Sequence, residues 1–476
     1  MTTQMSAATR ATGQVTGRTR PAWLVLALAC ACQFMVILDS SIVNVALPSI
    51  DRDLGFSSAG LAWVVNGYLL TFAGFMLLGG RAADLFGQRR TLTAGLVLFS
   101  ASSLVGGLAT GAGVLVGARV AQGVGAALLA PATLAVINTG FAEGRARARA
   151  FGAWSAAGGV GGMAGAVAGG ALTTGLSWRW VFLINVPIGA VLVAVAATAL
   201  SGARAGRREP LDLAGAVTGT AGLAALIYGV MHGADHGWTS PPVAGPVGAG
   251  IVLLAAFALV EARFATRPMT PPRLLRIRGV AVGTGMLLLF GGIAIAMWYF
   301  SSLFLQNVLG YGPLRAGLGQ TPAAVTFMLV ARCAAGLLPR FGVRPLVLAG
   351  GAGFVAGFGW LSTAGVHTSY LAGVLGPTLL VAAGIGLVFP TLMAAATADA
   401  PGGDAGTVGG LAQTAQQVGG SVGLAVLATA AGAATPAGRS TAAAFATGYD
   451  RVFLIAAGLA VVLAAVGFAL PRHARD

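Results

Sequence analysis

Apolar positions occur in long blocks separated by short polar segments, not at the spacing of a helix or strand that has one face in water. Windows of about 20 apolar residues, the length that crosses the hydrocarbon of a bilayer, recur along almost the whole chain. Fourteen such spans are predicted, near 22–46, 58–79, 91–109, 112–137, 149–173, 177–200, 212–232, 243–264, 280–305, 314–337, 345–364, 369–394, 405–432 and 450–470. Residues 1–20 are small and polar, and predict a disordered tail.

The composition excludes a soluble enzyme. Of 476 residues, 57% are apolar and 9% are charged, whereas an ordinary soluble domain has about 25% charged residues. The 74 glycines suit membrane helices, since small residues allow close approach of backbones. Cys30, Cys32 and Cys333 lie in apolar windows, where buried apolar side chains are expected rather than a disulfide or a metal site. We therefore expect an all-α membrane protein.

The arginines predict an orientation. The net charge is +15, and all 28 basic residues are arginine. With the N-terminus inside, 21 arginines fall on the cytoplasmic side, 5 on the outer side and 2 within spans. This bias follows the positive-inside rule, and an even number of spans places both termini in the cytoplasm. The arginines are spread between spans and form no single basic surface, so no nucleic-acid partner is expected.

Two short polar segments, 80–87 and 338–344, are similar and indicate an internal repeat. They occupy equivalent places if the seventh and eighth spans are an insertion between two six-helix halves. Parallel repeats of this kind are typical of secondary transporters. The predicted organisation is a cytoplasmic tail 1–20, an N-terminal bundle 21–201, two extra helices 202–265, a C-terminal bundle 266–471 and a cytoplasmic tail 472–476.

Asp39 is the acidic residue that the pattern places most clearly within the hydrocarbon. A carboxylate there is costly, and usually faces the bundle interior and takes part in function; a structural carboxylate near the outer interface is the alternative. At 1.5 Å per residue, Arg119 on the fourth span has a similar predicted depth. A pair is expected, in which a proton or a cationic substrate competes with Arg119; an arginine that snorkels to the surface is the alternative. Gln122 lies one turn away on the same face.

The loop predicted at 80–90 carries a second group of candidates. An acidic residue framed by glycines and arginines in so short a turn is expected to lock two helices on the cytoplasmic face. Generic positive-inside charge is the alternative. The gate candidates are Gly80, Arg81, Asp84, Gly87, Arg89 and Arg90.

The fifth span has glycines every three or four residues, which makes a smooth face for a close, sliding or static helix contact. Its candidates are Gly161, Gly165, Gly169 and Gly170. Polar and aromatic residues in other spans are candidates to line a cavity, with interhelical hydrogen bonds, core packing or an interface belt as alternatives. These are Asn44, Asn66, Tyr68, Trp298, Gln413 and Gln417. The sequence contains no Walker loop, HExxH, GxSxG or Cys/His cluster, so no catalytic site, metal or cofactor is expected.

Several strings resemble the motifs of the 14-helix drug:proton antiporters of the major facilitator superfamily. LDSSIVNVALP at 38–48 is similar to the first-helix motif, the segment 80–90 to the loop motif, and RVAQG at 119–123 to the fourth-helix motif linked to proton coupling. SWRWVFLINVPIG at 177–189 is typical of the 14-helix branch, as are DLAG at 212–215 and the Gly237-Trp238 pair. One position departs from the pattern, since GAVAGG has Ala166 where the antiporter motif has proline.

The resemblance implies the major facilitator fold, with 14 transmembrane helices arranged as two six-helix bundles and two additional helices. It implies a monomer of the bacterial inner membrane that exports small amphipathic drugs or antibiotics, cationic ones included, by alternating access and a proton gradient. Asp39 would bind a proton or the substrate in turn, and Arg81 with Asp84 would close the inner side. A narrow-specificity metabolite exporter or importer of the same fold is the alternative, and a non-transporting sensor or scaffold is a third hypothesis.

Overall fold

The computed structural model describes residues 22–141, 145–200, 213–264, 272–398, 400, 404–435 and 441–470. The predicted tails at 1–20 and 472–476 lie outside these residues, as does the side chain of Asp84. Within the described ranges, every regular element is helical.

The long helices follow one another with short connections, and each covers one of the predicted windows. They are α1 Ala22–Leu54, α2 Ser58–Phe86, α3 Gln88–Gly107, α4 Ala112–Gly140, α5 Arg145–Gly175, α6 Trp180–Ala199, α7 Leu213–His236, α8 Pro241–Leu259, α9 Arg278–Val308, α10 Pro313–Phe341, α11 Val343–Leu361, α12 Tyr370–Ala398, α13 Ala405–Ala434 and α14 Ala442–Gly467. A short helix at Pro272–Leu275 precedes α9.

Twelve of the described helices are long and apolar enough to cross a bilayer. Helices α3 and α5 do not meet that standard of apolarity, since α3 begins with a polar turn and α5 is rich in glycine. Both nevertheless pack within the bundle, α3 against α4 and α6 and α5 against α1 and α10. The count of fourteen spans therefore stays a prediction.

Three predicted boundaries are wrong by about two helical turns, namely the ends of α1 and α2 and the start of α14. Helix α1 continues through Pro48 to Leu54, because polar residues at its end remain helical beyond the apolar stretch. Helix α14 begins at Ala442 and not near 450, with Thr441 accepting a hydrogen bond from the Ala444 amide at 3.3 Å. The predicted window began too late there, because the small residues of 442–449 also belong to the helix.

The turns that carry the internal repeat are much shorter than predicted. Residues 80–86 continue α2, so the turn to α3 is the single residue Gly87, which has φ +86°. The turn from α10 to α11 is likewise one residue, Gly342, with φ +77°. This left-handed region is open to glycine at little steric cost. Equivalent glycine turns after the second helix of each predicted half support the repeat.

The helices pack in two sets that meet mainly along two pairs of helices. Helices α1 to α6 contact one another, and so do α9 to α14. Between the sets, α2 contacts α13, α5 contacts α10 and α1 contacts α9. Helices α7 and α8 pair with each other, and α7 also contacts α2 and α13. The second helix of each set thus meets the fifth helix of the other, as a parallel repeat requires.

Candidate proton and substrate site

Asp39 lies at the centre of a buried polar cluster within the first set of helices. Its side chain is 0% exposed. One carboxylate oxygen, Oδ2, accepts from Arg119 Nη1 at 2.6 Å. The other, Oδ1, accepts from Gln122 Nε2 at 2.7 Å and from Asn185 Nδ2 at 2.8 Å. Both oxygens are therefore satisfied, which a buried carboxylate requires to remain charged.

Arg119 is held in place by several groups and does not snorkel. It is 1% exposed, and its Nε donates to the Val64 carbonyl at 2.9 Å. Its Nη1 also donates to Gln122 Oε1 at 2.6 Å. The guanidinium carbon lies 4.3 Å from the ring centroid of Tyr68, a cation–π distance. The predicted Asp39–Arg119 pair is thus formed, with Gln122 bridging its two members.

Asp39 lies farther from the end of its helix than the predicted window 22–46 implies. Since α1 ends at Leu54, Asp39 is near the middle of a 33-residue helix and not close to its end. Arg119, by contrast, lies in the second turn of α4. The long arginine side chain and the packing of α1 on α4 bring the charges together.

Asn185 and Ser103 complete the cluster, and sequence reasoning did not select either. Both are 0% exposed. Ser103 Oγ accepts from Gln122 Nε2 at 2.7 Å and from Asn185 Nδ2 at 3.3 Å. Asn185 lies within the apolar part of the 177–189 string, and a lone amide there was the available signal. Its Oδ1 is buried without a hydrogen-bond partner.

The cluster can change its net charge at one group, the carboxylate of Asp39. Protonation of Asp39 would remove the negative charge that pairs with Arg119, and leave the guanidinium buried with neutral acceptors only. Removal of one member of a buried pair is costly, on the order of 3 kcal/mol or more. Protonation therefore favours a rearrangement that separates or rehydrates the pair.

The comparisons with known proteins decide the family. The profile described as Major Facilitator Superfamily matches residues 29–424. The chain belongs to this superfamily. It is therefore a transporter and not an enzyme, and the predicted all-α membrane fold of the superfamily is confirmed.

Two similar bacterial proteins are named for the export of an antibiotic or for resistance to one. The cephamycin export protein CmcT of Amycolatopsis lactamdurans is 43% identical over 459 residues, covering 96% of this chain and 93% of the relative. The puromycin resistance protein pur8 of Streptomyces alboniger is 39% identical over 423 residues, covering 87% and 83%. These similarities confirm the resemblance to drug exporters of the superfamily.

The fold has solved counterparts. A crystal structure of the nucleoside transporter NupG matches with a TM-score of 0.67 over 94% of this chain and 99% of that chain. At 14% identity, this match bears on the fold alone.

The glycine row of this transporter packs directly beside Asp39. A Cβ built at Gly161 would lie 2.7 Å from the Phe34 carbonyl oxygen, and one at Gly165 would lie 2.7 Å from Ser41 Cβ. Gly169 approaches the Ile42 carbonyl in the same way, at 2.6 Å. These three glycines let α5 lie against the part of α1 that carries Asp39.

The next glycine faces the second set of helices. A Cβ at Gly170 would lie 2.6 Å from Leu314 Cα on α10, and the carbonyl of Ala166 abuts Gly317 of the same helix. Helix α5 runs from Arg145 to Gly175 without a break, with alanine where the antiporter motif has proline. Its contact with α10 is thus made by a continuous helical segment.

The gate candidates gather around the turn at Gly87. Gly80 faces α4, where its Cβ would lie 3.7 Å from Pro131 Cβ. Arg81 and Arg89 are half-buried and Arg90 is exposed. The side chain of Asp84 is outside the described set, so the lock expected between it and Arg81 stays a prediction.

The candidate cavity residues separate into two groups. Asn66 and Tyr68 are buried, and both form hydrogen bonds. Asn66 Oδ1 accepts from Ser421 Oγ at 3.0 Å, and Tyr68 Oη donates to the Val36 carbonyl at 3.4 Å. Asn44 is buried, with its Oδ1 unpartnered. The remaining candidates are half-buried, namely Trp298, Gln413 and Gln417.

Polar contacts also tie the two sets of helices together. Ser302 Oγ donates to the Asn44 carbonyl at 3.1 Å, and Gln306 Nε2 donates to the Val45 carbonyl at 3.1 Å. With the contact of Gly170 on Leu314, these lie toward the end of the bundle that carries the α1–α2 turn. Among the described residues, no group of three or more His, Cys, Asp or Glu could hold a metal ion.

Proposed function

We propose that this transporter exports a small amphipathic drug or antibiotic in exchange for protons, with Asp39 as the proton-carrying group. The observation that carries the proposal is the fully buried Asp39–Arg119–Gln122–Asn185 cluster. A transporter has little structural reason to bury an ion pair in its interior, because well-packed apolar residues of similar volume are often as stable or more stable. The antibiotic export and resistance functions named for CmcT and pur8 support the substrate class.

The proposed cycle uses competition at Asp39. When Asp39 is ionised, Arg119 and the two amides hold it; when a proton binds, the pair loses its electrostatic attraction. A cationic substrate would compete with Arg119 for the same carboxylate. The cluster lies on α1, α3, α4 and α6, so a change in its charge acts on the packing of four of the six helices in the first set.

We further propose that the bundles 21–201 and 266–471 alternate in opening, with the helices of 202–265 outside this core. The paired contacts α2–α13 and α5–α10 support this division. The contacts of Ser302 and Gln306 with α1 support a state closed at the predicted outer end. In this proposal, the segment 80–90 closes the inner end in the state that is open at the outer end. The protein acts as a monomer in the inner membrane, with both termini in the cytoplasm.

A narrow substrate range is the second candidate. The names of CmcT and pur8 each mention a single antibiotic. This favours an exporter of one compound class over a broad multidrug pump, without a change in the coupling step.

The test uses inside-out vesicles that are energised to an acid interior and contain a pH-sensitive dye. Cationic, neutral and anionic antibiotics are added to wild type and to Asp39→Asn. We expect release of protons on addition of a substrate, and loss of that release in the variant. If Asp39→Asn transports normally and still releases protons, Asp39 is not the coupling group. A response to one compound class alone would select the narrow exporter.

A further inference from the structure

A cavity of about 480 Å³ lies in the second set of helices, away from the Asp39 cluster. It is formed where α9 ends at Val308, where α10 begins at Pro313, and where the loop 366–369 leads into α12. All three elements begin or end there, so the cavity lies at the boundary between the spans and the surrounding water. The proposed export cycle makes no use of it.

Arg315 provides a positive charge at this cavity. Its guanidinium carbon lies 3.8 Å from the ring centroid of Tyr311, and the Tyr311 and Tyr370 rings are 6.3 Å apart. Tyr370 is fixed in turn, because its hydroxyl donates to the Gly319 carbonyl at 2.7 Å. In the part of the chain that the structure describes, Arg315 has no carboxylate partner, whereas Arg179 is paired with Asp53 at 2.6 Å. The guanidinium is oriented by aromatic stacking while its N–H groups remain available.

The opposite wall combines hydroxyl groups with an apolar rim. Thr368 Oγ1 accepts from the Gly365 amide at 2.7 Å, and Ser369 Oγ accepts from the Ala372 amide at 3.4 Å. Each hydroxyl keeps its own hydrogen to donate. Leu371 is 73% exposed and Val366 is 37% exposed at the rim. The cavity thus combines an exposed cation and hydroxyl donors with exposed apolar side chains.

We propose that this cavity binds the phosphate headgroup of an anionic membrane lipid, with Arg315 as the charged contact. A guanidinium binds phosphate through two parallel hydrogen bonds, which adds geometric specificity to the charge. The exposed leucine and valine would lie beside the acyl chains. A free anion would gain nothing from this apolar rim, which is why we assign a lipid.

The experiment measures thermal stabilisation of the purified full-length protein in neutral detergent by added lipid. Phosphatidylglycerol, phosphatidylcholine and inorganic phosphate are titrated separately against wild type and Arg315→Gln. The matched control is Arg451→Gln, an exposed arginine of α14 that does not line this cavity. A second variant, Val366→Trp, adds bulk to the lining of the cavity without a change of charge.

We expect phosphatidylglycerol to raise the melting temperature of wild type and of Arg451→Gln, and phosphatidylcholine to have little effect. Loss of a hydrogen-bonded charge should raise the half-saturating concentration of phosphatidylglycerol by about tenfold or more in Arg315→Gln. Val366→Trp should weaken the response as well. An unchanged response in both cavity variants would overturn the proposal, as would equal stabilisation by phosphatidylcholine. An equal response to inorganic phosphate would assign the cavity to a free anion and overturn the lipid assignment.

Discussion

Asp39→Asn should reduce stability as well as abolish coupled transport. The substitution keeps the size of the side chain but removes the charge that lies 2.6 Å from Arg119. Since Arg119 is 1% exposed, water cannot replace the lost carboxylate without a rearrangement of the bundle. The remaining partners are the Val64 carbonyl, Gln122 Oε1 and the Tyr68 ring, all uncharged.

The magnitude follows from this environment. Removal of one member of a buried ion pair costs about 3–5 kcal/mol, and the neutral partners of Arg119 place the loss near 3 kcal/mol. The new amide nitrogen would also face donors, since Asp39 accepts from the amide groups of both Gln122 and Asn185. Asn185 can adapt by a flip, because its Oδ1 is buried without a partner. Gln122 cannot flip without loss of its bond to Arg119.

The assay compares melting of the purified protein with proton-coupled flux in proteoliposomes. Asp53→Asn is the control, because it removes a carboxylate from an arginine pair whose side chains are 35% and 46% exposed. It should melt close to wild type and keep transport. The double variant Asp39→Asn with Arg119→Gln should regain most of the lost stability, since no charge is left buried, but should not regain coupling. A single Asp39→Asn variant as stable as wild type would refute the assigned energetics of the pair.

Three further outcomes are expected from other parts of the transporter. Gly165→Ala should destabilise the protein by about 1–3 kcal/mol, because its Cβ would lie 2.7 Å from Ser41 Cβ; Gly152→Ala, which meets nothing within 4 Å, should melt like wild type. Gly87→Ala should cost about 1–2 kcal/mol through strain at φ +86°, again read from melting; no loss would show that the turn adapts. Asn185→Leu should lower the rate of coupled flux and shift its dependence on pH, since Asp39 loses a donor at 2.8 Å; an unchanged pH profile would exclude Asn185 from the coupling group.

The local hydropathy pattern was enough to predict the helices. A membrane-spanning segment must form its backbone hydrogen bonds within itself and present apolar side chains to lipid. The positions of most spans could therefore be read from apolar windows, and the errors arose where polar or small residues continue a helix beyond its apolar stretch. Arg52 near the end of α1 and the segment 442–449 at the start of α14 are two such cases. The turn at Gly87 was signalled by its glycine, but its length of one residue depends on how α2 and α3 both pack against α4.

The sequence by itself determined that Asp39 is exceptional, since a carboxylate in an apolar window has few reasons to be there. It also identified Arg119, from its predicted depth within the fourth span, and Gln122, because it lies one turn away on the same helix face. Only the tertiary structure decided that Asn185 and Ser103 belong to the same cluster, because they come from helices that meet Asp39 through packing. Likewise, only packing turned the glycines of α5 into a contact surface for α1. Hydrophobic periodicity specifies which residues avoid water, whereas the hydrogen-bond partners of a buried charge depend on which helices become neighbours.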